Sequence, residues 1–117
     1  MIMALAAPAM AADVTLAWDA NSEPDLAGYI LFYGTASGQY TQQVTINARD
    51  GDGAIIAAPQ HTVTGLDDDT TYFFAIKATN AAGNQSDFSD ELAYTVRPGQ
   101  VVIRILDRPV GIRLLFE

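Results

Sequence analysis

The run Thr71–Asn80, "TYFFAIKATN", constrains this chain more than any other stretch. Its large apolar residues alternate: Tyr72, Phe74, Ile76 and Ala78 fall on one side, Phe73, Ala75 and Lys77 on the other. A period of two is the signature of a strand with one face in a core. The same period returns in "VTLAWDA", where Val14, Leu16 and Trp18 share a face, and in "YILFYG", where Tyr29, Leu31 and Tyr33 oppose Ile30 and Phe32. "YTQQVTIN" is more polar and suits a strand near an edge. "QHTVTGL" and "ELAYTV" supply two more strands. Turn-forming runs separate them: "NSEPDLAG", "TASGQ", "ARDGDGAIIAAP" with a short apolar strand inside it, and "AAGNQSDFSD". No useful helical period follows residue 12. Short alternating strands must bury one face against a second sheet, so the expectation is an all-β antiparallel sandwich.

The totals fit one domain. The 117 residues are enough for a single core, and with 50% of them hydrophobic the chain is no acidic tail. Twelve acids against Arg49 and Lys77 leave residues 1–96 at −10, while residues 97–117 carry Arg97, Arg104, Arg108 and Arg113. Such a body repels phosphate backbones, so nucleic acid is not an expected partner. The absence of cysteine excludes disulfides, thiolate metal sites and a cysteine nucleophile. Nothing in the sequence is apolar for long enough to span a bilayer as a helix.

Residues 1–12, "MIMALAAPAMAA", are small and apolar and end in Ala9-Met10-Ala11, an A-x-A pattern with cleavage expected before Ala12. The basic start of a secretion signal is missing and the apolar run is short. The expectation is a signal remnant and a secreted or cell-surface location; an ordinary apolar strand is the other reading.

Residues 13–97 resemble the fibronectin type III domain in its bacterial form. Trp18 looks like the core tryptophan of the family's strand B, and "GYILFYG" looks like its strand C. "GLDDDTTYFFAIKATNAAGNQS" is similar to the family's E–F corner and strand F, with Leu66, Thr70 and Tyr72 at the family's spacing. "SDFSDELAYTV" resembles the approach to strand G. The resemblance implies a non-catalytic module that contacts protein or glycan, with Trp18, Leu66 and Tyr72 as structural residues. There are two departures. Asp68 stands where the family often has proline, and little before Val14 looks like a strand A. Loss of the first twelve residues would leave the edge of strand B open, and an open edge invites another strand.

Candidate chemistry is sparse. Asp67, Asp68 and Asp69 read as a turn beside a tyrosine corner rather than a cage, because adjacent side chains diverge and calcium needs six or more converging oxygens. "RDGDG" (49–53) starts like a calcium loop but lacks the closing glutamate, and reads as a mobile turn. Asn21, Glu23 and Asp25 read as a solvated loop, and His61 as a half-buried structural residue. No nucleophile elbow, phosphate loop or zinc spacing is present; no enzyme activity and no cofactor are expected.

Two features point to partners. Ile30, Phe32 and Phe73 would form an outward apolar patch on adjacent strands, serving as a partner-binding face or lying under the chain's own tail. In the tail, Val101–Leu106 and Val110–Phe116 read as two strands about Asp107-Arg108-Pro109, with Val101, Ile103, Ile105, Ile112, Leu114 and Phe116 as its contact residues. Four destinations are open for it: the patch, the edge of strand B, a neighbouring copy, or a second domain of which it is a stub. The alternative function is therefore a structural subunit, self-associating by β-strand addition through the C-terminal or N-terminal segment.

Overall fold

The computed structural model describes residues 11–97 and 101–104. Seven strands occur among them: β1 (Ala11–Ala17), β2 (Leu26–Gly34), β3 (Gln42–Asn47), β4 (Gln60–Asp67), β5 (Thr71–Asn80), β6 (Leu92–Thr95) and β7 (Val101–Arg104). They form a sandwich of two sheets, one in the order β4-β1-β7 and the other β3-β2-β5-β6. Every pairing is antiparallel except β1 with β7, which is parallel.

Alternation explains the core. Val14, Leu16 and Trp18 from one sheet meet Tyr29, Leu31, Phe74, Ile76 and Ala78 from the other, all essentially without exposure. Trp18 packs edge-on against Tyr29 with ring centroids 5.2 Å apart. Truncation of a buried aromatic of this size costs ~3–5 kcal/mol, so Trp18 anchors the fold.

Simple alternation fails at one point. Val63 and Leu66 are both buried although three positions apart. A bulge reconciles them: Val14 pairs with Val63 and Ala12 with Leu66, so two residues of β4 stand against one of β1. The extra position is Gly65, whose φ of 73° a side chain would strain.

β1 takes in Ala11 and Ala12, which pair with Asp67 and Leu66, and Ala12 lies in the core. The expected cleavage point thus falls inside β1. The edge of β1 that the sequence left open carries β7, with Val14 opposite Val101 and Ala17 opposite Arg104. This is the second of the four destinations considered for the tail. Of the tail's named contact residues, Val101 and Ile103 are placed by backbone pairing; Ile105, Ile112, Leu114 and Phe116 lie outside the described residues, as does the second tail strand.

Candidate functional site: the outer face of the four-stranded sheet

The register of β2 on β5 sets the outward residues in rows. Ile30 stands opposite Lys77, Phe32 opposite Ala75 and Gly34 opposite Phe73. These positions point away from the core, yet Ile30 is 9% exposed and Ala75 is fully covered. Among the described residues, the segment between β5 and β6 lies over this face.

That segment returns along β5 held by two serines. Ser86 donates its N–H to the Ala78 carbonyl at 2.9 Å, and its hydroxyl oxygen accepts the Ala78 N–H at 2.9 Å. Ser89 repeats the pattern on Ile76, at 2.8 and 3.0 Å. A side-chain oxygen thus replaces a strand carbonyl in each pair, which satisfies the buried backbone of β5 without a regular strand. Between the serines Phe88 is turned onto the outer face. Its ring stands edge-on to Phe32 at 5.0 Å and lies 5.3 Å from Tyr40. The Lys77 ammonium sits 4.4 Å from the Phe88 centroid and 5.7 Å from that of Phe32. Each aromatic pair is worth about 0.5–1.5 kcal/mol beyond area burial, and a half-buried cation over a ring about 0.5–2 kcal/mol. Phe88 remains 41% exposed, more than any other large hydrophobic side chain among the described residues. Phe73 is half-buried at the far end of the face, opposite Ala93 as well as Gly34.

Glu91 closes the lower border. Its carboxylate accepts the hydroxyls of Ser37 and Tyr40, each at 2.6 Å, and the Gly38 N–H at 2.9 Å. The Ser37 and Tyr40 hydroxyls hold the Glu91 carboxyl below its usual range, helped by the Gly38 amide and opposed by slight burial. Burial, then the hydrogen bond to Glu91 and its charge, push the Tyr40 phenol up to about 12. The turn between β2 and β3 is thereby tied to the start of β6.

The other candidates serve the scaffold. Tyr72 accepts the Asp67 N–H on its hydroxyl at 3.0 Å, and Leu66 beside it is buried. Asp69 adopts a φ of 56°, donates its N–H to the Val96 carbonyl at 2.9 Å and faces Arg97 at 3.4 Å. The aspartate run is therefore a corner bonded through its backbone. Asp50 accepts the N–H groups of Asp52 and Ala54 at 2.9 and 3.1 Å. Arg49 donates to the carbonyls of Leu26, Gly53 and Pro24 at 2.9, 3.0 and 2.6 Å, lashing this turn to the loop before β2. Asn21, read from sequence as solvated, is buried, with its N–H donated to the Tyr29 hydroxyl at 3.0 Å. His61 is half-buried opposite Leu16. Among the described residues no three His, Cys, Asp or Glu are placed to share a metal ion, and no helix is long and apolar enough to cross a membrane.

Sequence reasoning named Ile30, Phe32 and Phe73 for this face and did not name Phe88, Tyr40 and Lys77. The signal was a lone phenylalanine in the polar run "NQSDFSD", which needs an apolar neighbour, flanked by two serines able to pair with a strand.

The two-sheet all-β sandwich agrees with the comparison to known families. A fibronectin type III domain model matches residues 5–95, and the chain belongs to that family. The matched span takes in part of the signal-like segment. Domains of this family are commonly non-catalytic binding or spacer modules and often mediate protein interactions. No curated protein and no solved structure gives a significant match to the chain.

Proposed function

We propose that this protein is a secreted or cell-surface module of bacterial type that contacts a protein or glycan partner through the outer face of the four-stranded sheet. The observation that carries the reading is Phe88, a large apolar ring left exposed while Phe32, Tyr40 and Lys77 fix its position. A prearranged aromatic loses little freedom on binding, and such anchors dominate interface energy. Ile30 serves beneath the face as support rather than as a contact, because it is already covered. The A-x-A pattern before Ala12 supports an extracytoplasmic location.

The test is binding of the full chain to arrays of extracellular proteins and of glycans, with Phe88→Ser beside it. A ligand that binds the wild type should bind the variant about tenfold or more weakly, as loss of an anchor predicts. The variant should stay folded, with a melting point lowered by the loss of the ring contacts to Phe32, Tyr40 and Lys77. Equal binding by both contradicts the outer-face assignment.

A second reading, a structural subunit joined by β-strand addition, draws on one observation. The parallel pairing of β7 covers β1 only from Val14 to Ala17, and among the described residues Ala11–Asp13 carry no strand on that side. An edge half covered by a short strand can accept the same strand from a neighbour.

A further inference from the structure

A second concave site lies away from the aromatic face. Where the edge strands β3 and β4 part, between the two sheets, there is a cleft of about 280 Å3. Its polar wall comes from Tyr33, Thr35, Thr41, Gln42, Thr64 and Tyr72. No lining residue bears a formal charge, although residues 1–96 carry twelve acids. The chemistry of the wall is hydroxyl, phenol and carboxamide throughout.

These groups are uncommitted. The side chains of Tyr33, Thr35, Thr41, Gln42 and Thr64 make no hydrogen bond with another described residue. The Tyr72 hydroxyl accepts the Asp67 N–H, which leaves its own proton to donate. Tyr33 and Tyr72 meet at 64° with centroids 6.5 Å apart, so two ring surfaces form a corner in the floor. At Gly65 an added Cβ would meet nothing within 4 Å, so the bulge leaves the mouth open and lets a ligand approach the backbone.

We propose that this cleft binds a neutral saccharide. A sugar ring offers alternating hydroxyls to donors and acceptors, and apolar C–H faces to aromatic rings. A charged ligand would find no counter-charge in the wall, and an apolar one would strip water from six polar groups without replacing it. The volume lies just below the ~300–1,000 Å3 range of small-ligand sites, which suits one ring rather than a chain of them. The proposal is independent of the outer face, since none of Phe32, Tyr40, Lys77 and Phe88 lines the cleft.

The experiment is a nitrogen-15 NMR titration of the full chain with glucose, galactose and N-acetylglucosamine in turn. A neutral alanine–serine tetrapeptide is the control for strand-like binding. One or more of the sugars should give saturable shifts at the Gly34, Thr35, Gln42 and Gly65 amides, with a dissociation constant on the order of 1 mM. Gln42→Ala and Thr64→Val, both at exposed positions, should each weaken that binding about tenfold, the worth of one hydrogen bond. Phe88→Ser should leave it unchanged, which separates failure here from failure of the outer-face reading. No saturable shift with any of the sugars overturns the proposal. So do shifts with the tetrapeptide alone, and so does undiminished sugar binding in both cleft variants.

Discussion

Glu91 shows how one side chain joins separate parts of the sequence. Its carboxylate gathers Ser37, Gly38 and Tyr40, more than fifty positions away, and fixes the ring of Tyr40 against Phe88. The pH dependence has a definite sign at each limit. Because the Glu91 carboxyl is held low, its contribution is complete above the ordinary value of 4.5 and is lost as pH falls through the depressed value. Because the Tyr40 phenol is held high, its contribution is complete below 10.0 and is lost as pH rises through about 12. Glu91→Gln should therefore cost stability at neutral pH and nothing further in acid, so that urea midpoints of variant and wild type converge on acidification. A gap that persists unchanged in acid would show that the carboxylate charge is not what holds the turn. Tyr72 makes a short-range tie, from its hydroxyl to the Asp67 backbone across the corner, worth about 1 kcal/mol. Its role was legible from the Leu66–Tyr72 spacing. That of Glu91 was not, because an exposed glutamate in a loop carries no local mark of its partners.

At the level of elements, the strands that line the core were readable because each buries one face. Trp18 with Leu16, and Phe74 with Ile76, announce their pairing by a period of two. The segment 81–91 was not readable in this way, since its pairing runs through serine side chains that look like loop residues. Nor was the bulge at Gly65, where the period breaks and turn chemistry alone gives the clue. The return segment gives a prediction at its own scale. Ser86→Ala and Ser89→Ala each leave a buried β5 amide without its acceptor, at a cost of about 1–3 kcal/mol. Hydrogen exchange should accelerate at Ala78 in the first variant and at Ile76 in the second, and Phe88 should lose its fixed contacts with Phe32. Unaltered exchange at those amides would mean that the serine oxygens are not their acceptors.

For the whole molecule, the question is whether the domain stands alone. Among the described residues, β1 is flanked by β4 on one side and by the chain's own β7, in parallel, on the other. The residues of "GQVVIRILDRPVGIRLLFE" told that a strand would form, but not where, because an apolar run fits any open edge. A binding module needs this edge filled from within; a subunit needs it filled by a neighbour. The most direct measurement is mass in solution by light scattering, on the full chain and on a chain ending at Gly99. A module whose edge is filled from within is monomeric as the full chain and associates once removal of β7 uncovers the edge of β1. A full chain that assembles, with clean monomers after truncation, would contradict the module reading and make the tail a connector between copies.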